Sequence, residues 1–393
     1  MSSEIAKALL RSLERFTETA DSAATGVSRW FRAVADKGLR QPAHHIDSAD
    51  VDAASPVEFA PGELRAPTIQ ERWLAFEEIY EARLPDPVMF HSAELDSIAQ
   101  VKLHIALENL YPDTLSIKER AARIVIRDLP DLPSGKPILL ASSGNHAIAY
   151  AEACRRRAIP LTAVVPANTP ALKVAKLEER GATVIRYGSS YDDAYAHARQ
   201  LTQDHGGIFM DVSAHDSVAA LGTVVTDMLS QRPFADVVVL PAGGGTVASA
   251  ASVIRDLEQH WGRRYKVLIA CPENAPTVYE SFKSGTPVTV LPHSIAEAVN
   301  VGTVDAHLLP EIIRSADDVV LVPEAWIQQG TRLLSDAIGH PVEAAATLGP
   351  MAVLGSQGVL HGASGVTHDI RGLEVLTVVT GGNIDLGTLT PGP

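Results

Sequence analysis

Four short segments carry residues whose types and spacing could do chemistry, and the first is Leu240-Pro-Ala-Gly-Gly-Gly-Thr246. Its successive glycines, Gly243, Gly244 and Gly245, let the backbone approach an anion closely, and the N–H groups at the start of the next helix would point at that anion. A tight strand-to-helix turn with positive φ angles explains the same residues. Because no Gly-Lys-Ser/Thr follows and the G-x-G-x-x-G spacing is absent, the segment is neither a P-loop nor a dinucleotide fingerprint.

The second segment is Ala141-Ser-Ser-Gly-Asn-His146, again between a predicted strand and a predicted helix. The hydroxyls of Ser142 and Ser143, the carboxamide of Asn145 and the consecutive backbone amides could hold a carboxylate and a ring hydroxyl. Ser and Asn also cap helices for structural reasons. His146 taken alone favours a structural role over a catalytic one. The 14 histidines show no metal-binding spacing, and the chain has no G-x-S-x-G elbow.

The third segment is Ser116-Ile-Lys118-Glu-Arg120, at a predicted helix start after the apolar strand Val101–Leu107. A lysine in such a helix usually extends its ammonium group into water, so Lys118 alone does not indicate a site. The fourth segment, Val378-Val-Thr-Gly-Gly-Asn-Ile384, is another predicted strand that ends in a glycine turn. None of the four segments decides the function by itself.

The elements that position these segments alternate between strands and helices. The predicted strands after residue 130 are Pro137–Ala141, Leu161–Val165, Thr183–Arg186, Asp236–Leu240, Lys266–Ala270 and Glu374–Val379. A small-residue helix is predicted from Val247 to Ile254, directly after the glycine run. Strands that are apolar on both faces and separated by helices indicate a parallel sheet covered on both sides, so the fold class is α/β.

The first 85 residues differ from the rest of the chain. Apolar residues at helical spacing predict a helix over 4–20 and a second short helix over 30–38, and residues 39–67 are predicted to form a linker. Thr68-Ile-Gln-Glu71 predicts a capping box for a helix that runs to roughly Arg83. We interpret this extension as a packing or oligomer contact rather than as a site of chemistry.

Composition excludes several classes of protein. The 33 basic and 47 acidic residues give a net charge of −14, and the longest basic run is Arg155-Arg156-Arg157, so neither nucleic acid nor an anionic membrane is an expected partner. Two cysteines, Cys154 and Cys271, cannot form a disulfide framework, and the N-terminus lacks the apolar core of a secretory signal. The longest run without Asp, Glu, Lys, Arg or His, Val237–Ile254, is interrupted by the Pro-Ala-Gly-Gly-Gly turn. A soluble, cytoplasmic protein without a membrane span is expected.

The order of the four segments carries more information than any one of them. Lysine, Ser-Ser-Gly-Asn-His, a glycine-rich loop and Thr-Gly-Gly-Asn follow one another over residues 85–390, and this arrangement resembles the fold-type II pyridoxal-phosphate enzymes, which include threonine and serine dehydratases, serine racemase and cysteine synthase. The resemblance implies a homodimer with two open parallel-sheet α/β domains of the tryptophan synthase β-like architecture. It places a large cofactor-binding domain at 85–136 and 214–393, a small α/β domain at 137–213 and a helical N-terminal extension at 1–84.

The resemblance also assigns roles to residues of all four segments. Lys118 matches the lysine that binds pyridoxal 5′-phosphate and takes the Cα proton, and Asn145 matches the residue that bonds the cofactor's 3′-oxygen. Thr380 matches the hydroxyl that faces the pyridine nitrogen, and the phosphate loop is matched by Gly243, Gly244, Gly245 and Thr246. The loop that receives the substrate carboxylate is matched by Ser142, Ser143, Gly144 and His146. Ser143 also falls where serine racemase has its second, opposite-face base, which leaves D-serine chemistry open.

The implied reaction is β-elimination from a β-hydroxy or β-substituted amino acid such as serine or threonine. A hydroxyl at Thr380 does not keep the ring nitrogen firmly protonated, so the ring is a weaker electron sink and early loss of a β-leaving group is favoured. The alternative is a β-replacement synthase of the cysteine or diaminopropionate type. A third hypothesis keeps the cofactor site for folding or sensing, while the N-terminal helices bind a partner.

Two features of the family are expected to be missing. Cys271 and Thr277 stand where racemase-type members carry the carboxylates that bind a divalent ion, so no metal is expected there, and Cys271 is expected to be a buried small residue. Only about ten residues follow Asn383, which leaves no room for the C-terminal regulatory domain of the biosynthetic threonine enzymes.

Overall fold

The computed structural model describes residues 63–81, 84–129 and 136–384. Its α-helices are α1 Ile69–Glu81, α2 Ala93–Ala99, α3 Lys118–Asp128, α4 Asn145–Arg156, α5 Ala171–Glu178, α6 Tyr191–His205, α7 His215–Gln231, α8 Ala251–Trp261, α9 Thr277–Ser284, α10 Leu309–Ser315, α11 Glu324–Ile338 and α12 Leu348–Ser356. The helices predicted over 4–20 and 30–38 lie outside the described residues, as does most of the predicted linker.

The strands alternate with these helices as the sequence predicts. They are β1 Val88–His91, β2 Lys102–Leu107, β3 Ile138–Ala141, β4 Leu161–Val165, β5 Thr183–Arg186, β6 Ile208–Phe209, β7 Val237–Pro241, β8 Lys266–Pro272, β9 Asp318–Val322, β10 Val359–His361, β11 Thr367–Asp369 and β12 Glu374–Val379. Each strand that was predicted is present to within about two residues at its ends. The sequence patterns did not predict β1, β6, β9, β10 and β11.

The larger sheet has the strand order β1-β2-β12-β7-β8-β9, and all its neighbours are parallel except the edge pair β1 and β2. In register, Val379 at the end of β12 pairs with Leu107 at the end of β2. Because parallel strands end at one edge of a sheet, the segments that follow β2, β7 and β12 all leave this edge. Three of the four candidate segments are therefore placed together by topology.

The smaller sheet has the order β5-β4-β3-β6 and is entirely parallel. Ile138 of β3 pairs with Leu161 of β4 and with Ile208 of β6. The Ser142–Asn145 turn follows β3, and a segment that contains Asp211 follows β6, at the same edge. The two sheets use separate stretches of the chain, but the predicted domain boundaries stay a prediction.

The core is built on strands that are apolar on both faces. All five residues of β7, Val237–Pro241, are buried, and so are the last five residues of β2 and of β12. Helix α12 is almost wholly apolar and packs on this sheet beside β7 and β12. Each fully buried Val, Leu or Ile side chain contributes about 1.5–3 kcal/mol, so these strands hold the site-bearing edge rigid.

The predicted capping box is confirmed at the start of α1. The Glu71 backbone N–H donates to Thr68 Oγ1 over 3.2 Å, and the Thr68 backbone N–H donates to Glu71 Oε2 over 2.7 Å. The described part of α1 ends at Glu81, two residues before the predicted end. Within the described residues, no helix combines the length and apolar composition needed to cross a bilayer.

The helix after the glycine run begins later than predicted. Residues Ala248–Ala250 form a 3-10 turn, and α8 starts at Ala251 instead of Val247. The hydroxyl of Ser249 donates to the carbonyl of Thr246 over 2.8 Å, and that of Ser252 donates to the carbonyl of Ser249 over 2.7 Å. These side-chain bonds to carbonyls three residues back accompany the tighter winding of this segment.

Candidate active site

Lys118 is the first residue of α3, and the loop that precedes it is fixed to the loop that follows β12. The Ile117 backbone N–H donates to the carbonyl oxygen of Thr380 over 2.9 Å, and Ser116 forms an antiparallel bridge with Gly381. Leu115 has a positive φ of 48°, which costs about 1 kcal/mol or more in a residue with a side chain. The surrounding contacts hold this strained turn, so the position of Lys118 is determined by two neighbouring strands.

The Lys118 amine has the properties of a nucleophile or base. Neighbouring atoms enclose most of the side chain, although part of its surface stays accessible. This burial lowers the pKa of the ammonium group to about 8, and the negative charges of Glu343 and Asp305 partly oppose the change. Among the described residues, no hydrogen bond or ion pair holds Lys118 Nζ. At pH 7 about a tenth of such a lysine is the free amine, far more than for an ordinary lysine, and the free amine can attack a carbonyl carbon.

Asn145, the first residue of α4, is held by two side chains from distant parts of the sequence. Its Nδ2 donates to Glu343 Oε1 over 2.7 Å, and its Oδ1 accepts a hydrogen bond from Asn383 Nδ2 over 2.8 Å. Asn383 Nδ2 also donates to the carbonyl oxygen of Thr114 over 2.6 Å. The Asn145 carboxamide therefore has one defined orientation.

Glycine at position 381 is required for this arrangement. A Cβ atom there would lie 2.3 Å from Glu343 Oε1 and 3.0 Å from Asn145 Nδ2. The Glu343 backbone N–H donates to the carbonyl oxygen of Gly381 over 3.1 Å. Burial raises the pKa of the Glu343 carboxyl to about 7, although the hydrogen bond from Asn145 opposes that rise.

His146 follows Asn145 and is buried and neutral. Its Nε2 lies 3.4 Å from the carbonyl oxygen of Met210, and its ring centroid is 4.5 Å from that of Tyr150. Burial, together with the positive charge of Lys118, lowers the pKa of the imidazole to about 4, although Asp211 opposes the change. At neutral pH this histidine can offer a ring N–H or accept a hydrogen bond, but it adds no charge.

The Ser142–Gly144 turn is open to ligand. Ser142 and Ser143 are partly exposed and Gly144 is exposed. The Gly144 backbone N–H donates to Ser142 Oγ over 3.2 Å, while within the described residues the Ser143 hydroxyl has no hydrogen bond. Hydroxyls and amides at the start of a helix can hold a carboxylate.

Two acidic residues that the sequence analysis missed lie near these groups. Asp211 accepts hydrogen bonds from the Tyr195 hydroxyl over 2.5 Å and from the Ser213 backbone N–H over 2.9 Å. Burial raises the pKa of Asp305 to about 6, the charge of His307 opposes this rise, and Asp211 adds to it. Asp211 comes shortly after β6 and Asp305 lies in a loop, and neither belongs to a sequence motif that would have indicated a site.

The glycine run forms a tight 3-10 turn that demands glycine. Gly243 and Gly245 have φ angles of 53° and 109°, and a Cβ on Gly245 would lie 3.2 Å from the Val304 side chain. The Thr246 hydroxyl donates to the carbonyl oxygen of Gly243 over 2.8 Å. Val304 directly precedes Asp305, whose charge raises the pKa of Lys118.

Cys271 and Thr277 are structural in this arrangement. Cys271 is buried, its thiol contacts the carbonyl oxygen of Ala275 at 3.5 Å, and burial raises the pKa of the thiol to about 12. The Thr277 hydroxyl donates to the carbonyl oxygen of Val301. Residues 63–81, 84–129 and 136–384 contain no cluster of three or more His, Cys, Asp or Glu side chains that could hold a metal. That the protein uses no metal at this place stays a prediction.

Together these elements define a class of protein. The α/β fold presents an enclosed amine and a glycine turn with positive φ angles after strands of the larger sheet, and an oriented carboxamide after a strand of the smaller sheet. Pyridoxal phosphate needs an amine for its aldehyde, a donor for its 3′-oxygen and backbone amides for its phosphate. The residues present fit that cofactor.

Comparison with known proteins identifies the family. Residues 84–370 match the family model described as pyridoxal-phosphate dependent enzyme. Serine racemase of Rattus norvegicus is 32% identical over 306 residues, which are 76% of this chain and 88% of the racemase. L-threonine ammonia-lyase of Thermotoga maritima is 28% identical over 302 residues, 76% of this chain and 71% of the lyase. The solved structure of maize serine racemase matches with a TM-score of 0.72 at 24% identity, covering 82% of this chain and 96% of that one.

The chain belongs to the pyridoxal-phosphate-dependent enzyme family. The resemblance found in the sequence is confirmed, as are the cofactor and the fold-type II architecture. The protein is an enzyme of the lyase type, and its ammonia-lyase relatives support a β-elimination reaction.

Some site residues escaped the sequence analysis although a signal was present. Glu343 stands alone as a charge in the run Pro341-Val-Glu-Ala-Ala-Ala-Thr347, where an acidic side chain in an apolar stretch indicates a polar partner. Asn383 lies inside the Thr-Gly-Gly-Asn segment, but only Thr380 of that segment received a role. The partner of each residue is more than 190 positions away, so no local pattern could pair them.

Proposed function

We propose that the protein catalyses β-elimination from a small β-hydroxy or β-substituted amino acid such as serine or threonine. Lys118 holds the cofactor and then takes the Cα proton. The observation that carries this assignment is the enclosed Lys118 amine, whose pKa is lowered to about 8 and whose Nζ has no hydrogen-bond partner among the described residues. An amine that is free of ion pairs can bind the cofactor and afterwards act as a base.

The other predicted residues are proposed to hold the cofactor. Bound pyridoxal phosphate would supply an aldehyde for amine attachment and a ring that withdraws electrons from Cα. Asn145 would donate to its 3′-oxygen, and the turn of Gly243, Gly244, Gly245 and Thr246 would bind its phosphate. Thr380 would face its ring nitrogen with a hydroxyl, which favours elimination over reactions that need a long-lived carbanion.

The substrate carboxylate is proposed to bind at Ser142, Ser143 and Gly144. The accessible turn offers hydroxyls and backbone amides, and the neutral His146 beside it adds no charge that would compete with Lys118 for the proton. The unbonded Ser143 hydroxyl supports a second candidate, proton transfer on the opposite face of Cα, which would give racemase activity. A β-replacement synthase is the alternative, in which a second nucleophile adds to the β-carbon after the leaving group has departed.

The proposal includes a cytoplasmic homodimer that uses neither nucleic acid nor a membrane. The net charge of −14 opposes binding to phosphate backbones and anionic lipids. Cys154 and Cys271 are both buried and unpaired by a disulfide, which suits a reducing compartment. Size measurement in solution tests the homodimer, because a monomer or a higher oligomer at working concentration contradicts it.

One panel of substrates tests the reaction. The protein loaded with pyridoxal phosphate is given L-serine, L-threonine, D-serine, phosphoserine and O-acetylserine, each with and without a thiol or amine. We expect a 2-oxo acid and ammonia without any added nucleophile. Product that forms only with the nucleophile would replace the lyase by the synthase, and D-serine formed from L-serine would support the racemase.

The lysine is tested with a matched pair of variants. Lys118→Ala should lose both the visible absorption of bound cofactor and all turnover. Lys102→Ala is the control, because Lys102 is 53% exposed and pairs with Glu374 of β12. Lys102 begins β2, whereas Lys118 follows the other end of that strand. A Lys118→Ala protein that keeps the absorption band and the turnover contradicts the assignment.

A further inference from the structure

We propose that Glu343 is a positioning residue, which fixes the orientation of the Asn145 carboxamide and sets the protonation preference of the cofactor's 3′-oxygen through it. The inference rests on the proposed function, because it assumes that Asn145 faces that oxygen. Nothing in the sequence resemblance assigned a role to Glu343.

The first step is the geometry of the carboxamide. An Asn side chain has one oxygen acceptor and one NH₂ group with two hydrogens. Asn383 occupies the Asn145 oxygen at 2.8 Å, and Glu343 takes one hydrogen of Asn145 Nδ2 at 2.7 Å. One N–H of Asn145 is left for a ligand. If the carboxamide were flipped, an oxygen would face Glu343 and a donor would face the Asn383 donor, so both contacts would be lost.

The second step is that the chain holds Glu343 itself in place. Its backbone N–H is bonded to the carbonyl oxygen of Gly381, and a Cβ on Gly381 would overlap its carboxylate. The Thr-Gly-Gly-Asn segment therefore acts as a unit. Gly381 makes room for Glu343, and Gly382 packs against the carbonyl oxygen of Pro341, where an added Cβ would lie 2.4 Å away. Asn383 completes the clamp on Asn145.

The third step is the charge of Glu343. Burial raises the pKa of its carboxyl to about 7, the Asn145 contact opposes this, and Glu297 raises it while Lys173 lowers it. The negative charge of Glu343 raises the pKa of Lys118. An ionised Glu343 adds negative charge next to the Asn145 N–H groups, so it disfavours an anionic 3′-oxygen. A protonated Glu343 removes that effect.

The inference gives Glu343 a role that packing alone would not give. A merely structural carboxyl would affect stability but not the spectrum of the bound cofactor. A positioning carboxyl that titrates near neutral pH should make the visible absorption of the bound cofactor depend on pH. Substitution by Gln keeps an acceptor for Asn145 and removes the charge, whereas Ala removes both.

The experiment compares three variants of the holoenzyme, Glu343→Gln, Glu343→Ala and the control Glu178→Gln, whose residue is exposed at the end of α5. The readouts are absorption of bound pyridoxal phosphate from about pH 6 to 9, the dissociation constant of the cofactor and the melting temperature. We expect Glu343→Gln to bind the cofactor within about threefold of wild type but to lose the pH-dependent change in absorption. Glu343→Ala should weaken cofactor binding about tenfold or more, as expected for one lost charge-assisted hydrogen bond.

The outcomes separate this inference from the function on which it rests. If the wild-type protein binds no pyridoxal phosphate, both fail. If wild type and Glu178→Gln bind it and show the pH-dependent absorption, and Glu343→Gln shows the same dependence, only the role of Glu343 is overturned. A wild-type absorption that does not change with pH also overturns it. If Glu343→Ala lowers the melting temperature, the decision rests on the absorption and cofactor affinity of Glu343→Gln, which keeps the contact with Asn145.

Discussion

Lys118 and Arg120 are two cations that lie two residues apart on α3 and are treated very differently by the fold. Arg120 has no exposed surface and binds Glu108 through two parallel hydrogen bonds of 2.8 and 2.7 Å. It also donates to the Thr223 hydroxyl over 3.0 Å and forms an ion pair with Asp227 at 2.7 Å. Lys118 is enclosed as well, but within the described residues its amine has no such partner.

The difference separates a structural charge from a functional one. Asp227 belongs to the Arg120 cluster, and burial raises the pKa of its carboxyl to about 6 although Arg120 opposes that rise. A raised pKa near a buried charge therefore does not mark a functional site by itself. What distinguishes Lys118 is that no ion pair with another described residue offsets the burial of its charge, a state that costs stability and that a structural role does not require.

The largest expected effect tests the Arg120 cluster. Arg120→Met should destabilise the protein by about 3–5 kcal/mol, because it leaves the buried carboxylates of Glu108 and Asp227 without their cation. Chemical denaturation of the cofactor-free protein measures the loss. Arg123→Met on the same helix is the control, since Arg123 is 34% exposed and makes one pair with Glu119, so less than about 1 kcal/mol is expected. Equal losses in the two variants would show that Arg120 is not a structural centre.

The next effect should have the opposite sign. Lys118→Met should stabilise the cofactor-free protein at pH 7 by about 2 kcal/mol, because burial of the ammonium group opposes folding. The folded-state pKa of about 8 lies below the ordinary 10.5, so the penalty is fully present below pH 8 and disappears as the pH rises to 10.5. Denaturation at both ends of this range checks the sign.

The same variant should show no visible absorption from bound cofactor, so stability and function would change in opposite directions. Lys102→Met is the control, because its lysine is exposed and paired. A Lys118→Met protein that is less stable than wild type at pH 7 would contradict the view that the buried ammonium group of Lys118 opposes folding. A gain that persists unchanged to high pH would mean that packing, not the charge, is responsible.

The same contrast explains what could be predicted from the sequence. Lys118 and Thr380 follow β2 and β12, which end at one edge of the larger sheet, whereas Asn145 follows β3 of the smaller sheet. Their order along the chain was enough to identify the family. β9 was not predicted, although its sequence Asp318-Val-Val-Leu-Val resembles that of the predicted strand Asp236–Leu240.

The remainder of the site depends on contacts across long stretches of chain. Glu343 meets Asn145 only because the strands β3 and β12 end where they do, and the pair is 198 positions apart. The start of α8 was wrong because serine hydroxyls bond to the local backbone, which a pattern of small residues does not reveal. Topology is readable from periodicity, whereas side-chain pairing at the site needs the folded geometry.

The smallest expected effect comes from removing one neutral member of each network. Thr223→Val deletes a hydroxyl that Arg120 contacts, and it should cost about 1 kcal/mol of stability while the cofactor affinity stays unchanged. Asn383→Ala deletes the donor that holds the Asn145 oxygen, and it should cost a similar amount of stability or less but weaken cofactor binding by about fivefold to tenfold. Denaturation and cofactor titration on the same two proteins give the four values. If both variants lose stability and neither loses affinity, the Asn145 clamp is part of the structural framework, and the distinction between the two networks does not hold. If only Asn383→Ala loses affinity, the Arg120 cluster and the Asn145 cluster serve different purposes, one for folding and one for the cofactor.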